Sequence, residues 1–531
     1  MRNWTKVALI VIVFLGLILR VYKLASVPPS LNWDETAAAY NAFTIKNWGR
    51  DEWGKIFPLV FTSFRDDKHP VHIYTTALFY TFFGVSDFTT RLPSALVGVL
   101  AIIFIYLLVK NLTGSDTAGI FSALFLAFSP YAIHYSRGLW EANFAVSIFI
   151  VGLGSLYYGL AKENIFIILA YIFWGLSLIS YHAAKVVVPP VVILISFTYF
   201  TVTKEVKRIF MIGILIFAGF VSVLFIEPRL LGLARISQTK LPPQLVQNTY
   251  LYKKTNSELL GRLEVSVKNY QKYYAYDYLF KRGDQEPRGS VKIIGEFYKI
   301  NILLAPLGII FLLYKKKWKF LIILLLWFFL GAIPGALAGS NPNSTRSIFM
   351  LGTLEVASGI GVGYLLSLAK KRVLKIILTC LILIGLGYET LHYLTYYFAK
   401  YSENEAIQWQ YGMKQVATYV KENTDYKKVY VTKIRNQPYI FFLYYLQYPL
   451  HNLLKDVKYD ETGSKSYNTI ESFDKYNFGN WDYRESQPET GYLYIVTKNE
   501  FMAFKMGDFF NIKQIVKYPG GDEAFYIVSV N

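Results

Sequence analysis

The fold is decided by VALIVIVFLGLILRVYKL, residues 7–24, an apolar run long enough to cross a lipid bilayer. It is longer than the apolar core of an ordinary signal peptide, and no small-residue cleavage site follows it, so we interpret it as a retained signal anchor. A double-proline break and then NWDETAAAYNAF (32–43) come directly after it. Two adjacent carboxylates, Asp34 and Glu35, therefore lie just outside the first predicted span.

The composition places the whole chain in the membrane class. It is 54% hydrophobic and 17% charged, and several further apolar runs follow the first, which predicts a polytopic α-helical membrane protein. The formal charge of +19 does not indicate nucleic acid, because the basic residues gather in short clusters between apolar runs, as topology signals do. The single cysteine, Cys380, lies in an apolar run, so disulfides and cysteine metal sites are excluded.

The basic clusters set the orientation. Placing clusters such as Lys315–Lys319 in the cytoplasm puts the N-terminus inside, with a first outer loop at 26–91 and a long outer loop at 227–290. Val71–Val85 is only about 15 residues long, so we interpret it as a re-entrant or interfacial helix; counting it as a span would invert every later segment. About eleven spans remain: 7–24, 92–109, 117–134, 142–160, 165–181, 186–202, 209–226, 293–314, 320–338, 348–369 and 373–394.

The composition changes after the last span, which predicts two domains. Residues 1–400 form the transmembrane domain, and residues 401–531 form a soluble extracytoplasmic α/β domain of a multi-pass plasma-membrane protein. We interpret 455–490 as a long loop or insertion. The remaining predicted elements of this domain are an amphipathic helix at 405–422, a helical or buried segment at 438–446, and strands at 429–432, 492–497 and 524–530.

Ionisable residues gather on the predicted outer face, which indicates a polar cavity there. Asp34 is either a general base or, with Glu35, an ordinary helix cap, since acidic residues in a first turn favour the helix dipole. Arg137 and Glu141 have the spacing of a helix ion pair. The six histidines show no ligand spacing, so no metal site is predicted. The other candidates on this face are Asp66, Asp67, Lys68, His69, His182, Lys185, Arg229 and Arg346.

Five stretches together resemble one family. They are WDE (33–35), KHP (68–70), TTRLPSALVGVLAIIFIYLL (89–108), SPYAIHYSRGLWEANFA (129–145) and IPGALAGSNPNSTRSIFML (333–351). Their order and spacing resemble the protein O-mannosyltransferase and aminoarabinose transferase group, whose members are polytopic glycosyltransferases of the GT-C fold. The resemblance covers roughly residues 7–395.

The resemblance implies an activity and roles for single residues. The donor is expected to be a sugar linked to a polyprenyl phosphate, transferred as a hexosyl or pentosyl group, with inversion, to a protein, lipid or glycan acceptor on the outer face. Asp34 matches the proposed base and Glu35 its neighbour. Lys68 and His69 match the site of the donor phosphate, and Arg137, Glu141 and Arg346 lie in the later signatures. No cofactor is obligatory in this group, and a divalent metal is not indicated.

Two other function classes stay open from the residues alone. A transporter or flippase of lipid-linked sugars should show internal pseudo-symmetry and ionisable residues near the midplane of several spans. A membrane-anchored ligand-binding protein would use its spans only as anchors. KHPV stands where the mannosyltransferases have HPP and the aminoarabinose transferases KPP, so this motif does not identify the sugar.

Overall fold

The computed structural model describes residues 3–64, 66–200, 204–232, 241–339, 341–460, 470–479 and 487–530. Arg65, the first residue of the charged cluster RDDKHP, lies outside these ranges. The chain divides into two compact units. The helical unit contains Met1–Tyr22 and Leu92–Tyr396, and the mixed α/β unit contains Lys23–Arg91 and Tyr397–Asn531.

Long apolar helices dominate the helical unit and its junctions, which confirms the predicted polytopic membrane fold. Within the described residues, seven are long and apolar enough to cross a bilayer, and a helix pair bent by 55° at Ser129 brings the number to eight. Three shorter apolar helices are Ile165–Leu178, Ala184–Tyr199 and Ile300–Tyr314. The predicted number of eleven spans stays a prediction. The seven are Asn3–Val21, Asp87–Thr113, Glu141–Ala161, Lys204–Ile226, Trp318–Ala338, Ile348–Leu368 and Arg372–Ala399, and the bent pair is Asp116–Phe128 with Pro130–Ser136.

Glycines allow two of these helices to touch through their backbones. A Cβ atom added at Gly308 would collide with the Ala357 carbonyl, and one added at Gly361 would collide with the Leu304 carbonyl. Small residues at such a seam let membrane helices approach closely, where no hydrophobic effect drives them together. The helices Ile300–Tyr314 and Thr353–Leu368 are therefore fixed against each other by residues without side chains.

The loop after residue 232 carries short helices rather than spans. The described part contains Pro243–Gln247, Tyr250–Thr255 and the amphipathic helix Glu258–Lys272, followed by a π-helical turn at Asp277–Lys281. Buried Leu241, Val246 and Val265 pack together and give this loop a small core of its own.

The mixed α/β unit begins with the predicted first outer loop. Helix Trp33–Trp48 is followed by an antiparallel hairpin of β1 (Phe61–Ser63) and β2 (Asp66–Lys68). Helix Pro70–Phe83 then starts directly after the hairpin, with proline at its first position. This confirms that the stretch at 71–85 is helical, while its re-entrant or interfacial placement stays a prediction.

In its described residues, the C-terminal region forms a seven-stranded mixed sheet, in agreement with the predicted α/β domain. The strand order is β4-β5-β6-β3-β7-β9-β8, and β3 runs parallel to both β6 and β7. The strands are β3 (Lys428–Val431), β4 (Lys458–Tyr459), β5 (Ile470–Phe473), β6 (Tyr476–Phe478), β7 (Tyr492–Thr497), β8 (Asn511–Lys517) and β9 (Glu523–Ser529). The helices of this region are Tyr401–Glu405, Met413–Glu422, Pro438–Tyr445, Leu450–Asp456 and Lys498–Ala503.

Two predictions about this region are wrong in detail. The helix predicted over 405–422 is interrupted, because Gln410 and Gly412 take left-handed backbone conformations (φ +48° and +101°) between the turn Ala406–Trp409 and the helix Met413–Glu422. The segment 455–490 is not simply a loop, since β4, β5 and β6 lie in its described part. Short strands among polar residues give too weak an alternation to be recognised.

The first loop and the C-terminal region share one core within the mixed unit. The Tyr40 hydroxyl donates to the Tyr448 carbonyl at 2.9 Å, and the Trp53 ring stacks on Tyr459 at 4.9 Å between centroids. The Lys414 ammonium pairs with Asp87 at 2.7 Å. That residues 1–400 lie in the membrane and residues 401–531 in solvent stays a prediction. The compact units divide the chain differently, because the first loop belongs to the same unit as the C-terminal region.

Candidate functional site

The two predicted carboxylates lie in the first turn of helix Trp33–Trp48, and a capping box holds that turn. Asn32 Oδ1 accepts hydrogen bonds from the Asp34 and Glu35 amides at 2.9 and 3.1 Å. In return, the Asn32 amide donates to Glu35 Oε2 at 3.1 Å. The side-chain positions of both carboxylates thus follow from a local motif that the sequence NWDE encodes.

Glu35 is fully buried and paired with Arg91. The Arg91 Nε and Nη2 atoms each lie 2.9 Å from one oxygen of this carboxylate, which is a bidentate ion pair. Arg91 also donates to the carbonyls of Leu24, Pro28 and Ser30 at 3.1, 2.9 and 2.5 Å. Glu35 therefore anchors the chain that leaves the first span. The catalytic role predicted for it stays a prediction.

Asp34 points elsewhere and meets Lys68. The Lys68 Nζ and Asp34 Oδ1 atoms are 2.7 Å apart, with 7% of the Lys68 side chain and 38% of the Asp34 side chain exposed. The Lys68 ammonium also lies 5.7 Å from the centre of the Phe64 ring. Two residues that are 34 positions apart, predicted as base and phosphate ligand, thus form one partly open ion pair.

The hairpin presents Lys68 and its neighbours. Phe61 pairs with Lys68 in the ladder, Thr62 with Asp67, and Ser63 with Asp66. The Thr62 hydroxyl donates to Asp67 Oδ1 at 3.3 Å. Asp66 and Asp67 are half-buried, and His69 is buried at the start of helix Pro70–Phe83. The structure thus places Asp66, Asp67, Lys68 and His69 along one short segment beside Asp34.

Sequence reasoning missed Glu52, a second buried carboxyl group in this unit. The Ser63 hydroxyl donates to Glu52 Oε1 at 2.8 Å, and the Glu52 amide donates to Asn41 Oδ1 at 2.9 Å. Burial raises the pKa of Glu52 to about 8. The only sequence signal is the adjacent acidic pair Asp51-Glu52 in RDEWG, which by itself is typical of a turn.

The helical unit contains a separate cavity of about 380 Å³, here called the His182 cavity. Three predicted site residues line it, namely His182, Lys185 and Arg346, together with Arg262, which sequence reasoning missed. Its other walls are mostly apolar and include Leu231, Leu241, Pro334, Leu337 and Ala338. Several cations above apolar walls suit a molecule with an anionic head and a hydrocarbon tail.

Local hydrogen bonds fix Arg346 at the edge of this cavity. Its amide donates to Asn343 Oδ1 at 3.0 Å, and its Nη1 atom donates to the Ala338 carbonyl at 2.6 Å. Next to it, the Ser344 amide and hydroxyl donate to Asp284 Oδ2 at 2.7 and 2.8 Å. Burial raises the pKa of Asp284. The NPNSTR segment is thus tied to the end of the long loop.

The other predicted residues of the helical unit have structural partners. Arg137 is buried, and its Nη1 and Nη2 atoms donate to the carbonyls of Leu19 and Tyr22 at 2.7 Å each, which caps the first helix. Arg229 pairs with Glu227 at 2.9 Å. Glu141 opens the helix Glu141–Ala161. Among the described residues, Arg137, Glu141 and Arg229 do not line the His182 cavity.

Known proteins resemble the chain in one region of sequence and over most of the fold. Residues 67–230 match the family model of the dolichyl-phosphate-mannose-protein mannosyltransferases. This region includes the KHP, TTRLPS and SPYAIHYSRGLWEAN stretches but neither WDE nor NPNSTR. No curated protein sequence is a significant match.

Solved structures match the fold at low sequence identity. ArnT from Cupriavidus metallidurans, bound to undecaprenyl phosphate, matches with a TM-score of 0.51 and 12% identity over 99% of this chain and 97% of that chain. The archaeal oligosaccharyltransferase AglB from Archaeoglobus fulgidus, in complex with an inhibitory peptide and a dolichol-phosphate, matches with a TM-score of 0.51 and 14% identity over 83% of this chain. This match spans 63% of the AglB chain.

These matches agree with three of the five sequence signatures and with the observed helices. The family model covers the centre of the predicted resemblance, and the ArnT match covers nearly the whole length of both chains. The chain is therefore a polytopic membrane protein that shares the fold of these two solved structures, and its residues 67–230 are similar to the dolichyl-phosphate-mannose-protein mannosyltransferases.

Proposed function

We propose that this protein is a membrane glycosyltransferase that transfers a sugar from a polyprenyl-phosphate donor to an acceptor on the outer face of the membrane. The observation that carries the proposal is the partly open Asp34–Lys68 pair, which places a carboxylate and an ammonium 2.7 Å apart in the first loop. Two of the solved structures that share the fold hold undecaprenyl phosphate and dolichol-phosphate, which supports a lipid-linked donor.

The proposed reaction is a single displacement. The acceptor oxygen or nitrogen attacks the anomeric carbon, its proton passes to the Asp34 carboxylate, and the bond from the anomeric carbon to the phosphate oxygen breaks. The polyprenyl phosphate leaves with the electron pair and one more negative charge. Attack opposite the leaving group inverts the anomeric configuration, and the activated donor makes a nucleotide unnecessary.

Lys68 has two partners in this scheme. Before donor binding, its ammonium keeps Asp34 ionised, because an opposite charge at hydrogen-bond distance favours the carboxylate. A donor phosphate would compete for the same ammonium and then receive charge-assisted hydrogen bonds from it. Losing part of its counter-charge would make Asp34 a stronger base. Donor binding would thus activate the carboxylate that the acceptor needs.

The His182 cavity supports a lipid-phosphate ligand on separate grounds. Lys185, Arg346 and Arg262 contribute basic side chains, and the leucine and proline walls offer an apolar surface. We assign to these basic side chains the binding of the anionic head group of a lipid phosphate. We assign no chemical step to Arg137, Glu141 or Arg229.

The alternatives gain nothing from the comparisons. Neither matched structure is described as a transporter or as a passive anchor. A transporter would also leave the partly open Asp34–Lys68 pair without a role, because this pair belongs to the first loop rather than to a span.

The test is turnover of defined donors. Purified protein is incubated with a panel of polyprenyl-phosphate sugars, and released lipid phosphate is measured by mass spectrometry with and without candidate acceptors. We expect release from at least one donor and retention of that release in Asp508→Asn, which removes an exposed carboxylate of the C-terminal region. Turnover of no donor by folded protein would contradict the proposal.

A further inference from the structure

We propose that Glu52 is a positioning residue whose uncharged carboxyl group holds the helix that carries Asp34 and the hairpin that carries Lys68 in register. The proposal rests on the glycosyl transfer proposed above. Glu52 acts through these two residues and does not itself touch the reacting atoms.

A closed set of hydrogen bonds links the three segments. Asn41 lies two turns after Asp34 on the same helix, and its Oδ1 atom accepts from the Glu52 amide at 2.9 Å. The Ser63 hydroxyl donates to Glu52 Oε1 at 2.8 Å, and Asn41 Nδ2 lies 3.4 Å from the same hydroxyl oxygen. Ser63 lies in β1, whose ladder with β2 fixes Lys68. A shift of Glu52 would therefore move both sides of the Asp34–Lys68 pair.

The surroundings favour the uncharged acid. Glu52 is only 5% exposed, and its Oε2 atom has no hydrogen-bond partner among the residues that the structure describes. Burying a carboxylate that has an unpaired oxygen has a large free-energy cost of desolvation, whereas burying the uncharged carboxylic acid costs much less. Burial is accordingly the largest cause of the raised pKa of Glu52.

Charged and titratable groups face Glu52 from each neighbouring element. Asp51, the preceding residue, raises the pKa of Glu52 further, and Lys68 in the hairpin lowers it. Tyr40 and Tyr439 face it from two helices and Tyr459 from β4. Burial is the largest cause that raises the pKa of each of these hydroxyls, that of Tyr459 to about 12, and a negative charge on Glu52 raises it further. Around neutral pH the tyrosines are uncharged. The protonation of Glu52 therefore depends on burial and Asp51, which favour the acid, and on Lys68, which favours the carboxylate.

Ionisation would change what Glu52 does. A charged Glu52 would draw the Lys68 ammonium away from Asp34 and seek water for its unpaired oxygen. The Asp34–Lys68 pair would then loosen as the pH rises through about 8. We expect turnover of the wild-type protein to fall in that range although Asp34 stays ionised.

The first test compares pH profiles of three proteins. Glu52→Gln keeps an oxygen that accepts from Ser63 but cannot ionise, and Glu403→Gln is a matched control at an exposed glutamate of the same unit. We expect kcat of the wild type and the control to fall about tenfold per pH unit above pH 8, and kcat of Glu52→Gln to stay flat. An identical fall in all three proteins would overturn the proposal.

The second test needs no turnover. Because the folded pKa of Glu52 lies above its unfolded value of about 4.3, the folded chain binds more protons between these values, and its stability falls as the pH rises through that window. The melting temperature of the wild type should therefore decrease from pH 5 to pH 8 more steeply than that of Glu52→Gln. The infrared absorbance of protonated carboxyl groups at pH 7 should be lower in the same variant by the contribution of one carboxyl group.

The two tests separate the failures. A lower protonated-carboxyl absorbance and a flatter stability slope in Glu52→Gln, with no donor turned over by any protein, would refute the proposed function but confirm the buried acid. An unchanged intensity of the protonated-carboxyl absorbance in Glu52→Gln would refute the proposal about Glu52 even in an active enzyme.

Discussion

At the scale of single residues, adjacent acidic side chains have different partners. Asn32 caps both amides of the WDE turn, yet the Glu35 carboxylate turns inward to Arg91 and the Asp34 carboxylate turns to Lys68. The Glu35–Arg91 ion pair is fully buried and has backbone partners, so it suits a structural anchor. In the Asp34–Lys68 pair, 38% of the Asp34 side chain is exposed, so this carboxylate can contact a substrate. The helix-cap interpretation therefore describes Glu35, and the base remains our proposal for Asp34.

The first prediction concerns Asp34. Asp34→Asn keeps the size and the hydrogen bonding of the side chain but removes its basic charge, so we expect turnover to fall by a factor of about 100 or more, with donor binding nearly intact. The measurement is the initial rate of lipid-phosphate release at saturating donor, with Asp508→Asn as control. Near-normal turnover of Asp34→Asn would show that another carboxylate is the base, and Asp66 and Asp67 would be the next candidates.

The second prediction concerns Lys68. Lys68→Ala removes a charge that serves the donor in both the ground and the transition state, so we expect donor affinity and turnover to fall together. Lys68→Arg should recover only part of the loss, since a planar guanidinium does not replace a compact ammonium. Titration of the purified protein with donor measures the affinity, and Lys455→Ala at an exposed position is the control. Unchanged affinity in Lys68→Ala would exclude the phosphate role.

At the scale of elements, the Glu35–Arg91 pair joins the start of one helix to the start of another. Glu35→Gln leaves the buried Arg91 guanidinium without its counter-charge, which typically costs about 3–5 kcal/mol. We expect a lower melting temperature, with activity restored at reduced temperature. If Glu35→Gln instead had wild-type stability but no activity, this result would indicate a catalytic role for Glu35. The matched measurement is Glu35→Met combined with Arg91→Met, which should lose less stability than either single change.

The close packing of helices Ile300–Tyr314 and Thr353–Leu368 at their glycines predicts that the same glycine-to-alanine change has different effects on the melting temperature inside and outside this contact. Gly361→Ala adds a methyl group that collides with the Leu304 carbonyl, so it should lower the melting temperature. Gly387→Ala is the matched control on another helix, where nothing lies within 4 Å of the added atom. Because alanine favours a helix over glycine, the control should be neutral or stabilising. An equal effect of both changes would exclude close packing at Gly361.

At this scale the sequence predicts long periodic elements well and short polar ones poorly. The apolar runs and the strands near 429, 492 and 524 were predicted because their patterns persist over several residues. β5 and β6, with four and three residues, were missed within a polar segment. Glu52 was missed for a different reason. Its surroundings include Tyr439 and Tyr459, which are about 400 residues away in the chain.

At the scale of the whole molecule, orientation stays a prediction that chemistry can test. In a Cys380→Ala background, single cysteines at exposed Lys46, Lys254 and Lys455 should react with an impermeant thiol reagent added from outside. A cysteine at Lys316 should react only after the membrane is opened. The reason is the charge bias of the loops, which places the lysine cluster at 315–319 in the cytoplasm. Labelling of Lys46 and Lys455 positions from opposite sides would show that a span was miscounted.

The composition of the mixed α/β unit has a consequence for biosynthesis. Its first part ends at Arg91 and its second part begins at Tyr397, so about 300 residues of other structure are made in between. At about 5–20 residues per second, the first loop waits roughly 15–60 s on the ribosome for the strands and helices that bury Tyr40 and Trp53. Until the C-terminal region has been synthesised, the aromatic side chains of the first loop are exposed, so we expect chaperones to bind the newly made loop. Any chain that stops before residue 397 leaves this half permanently unfinished.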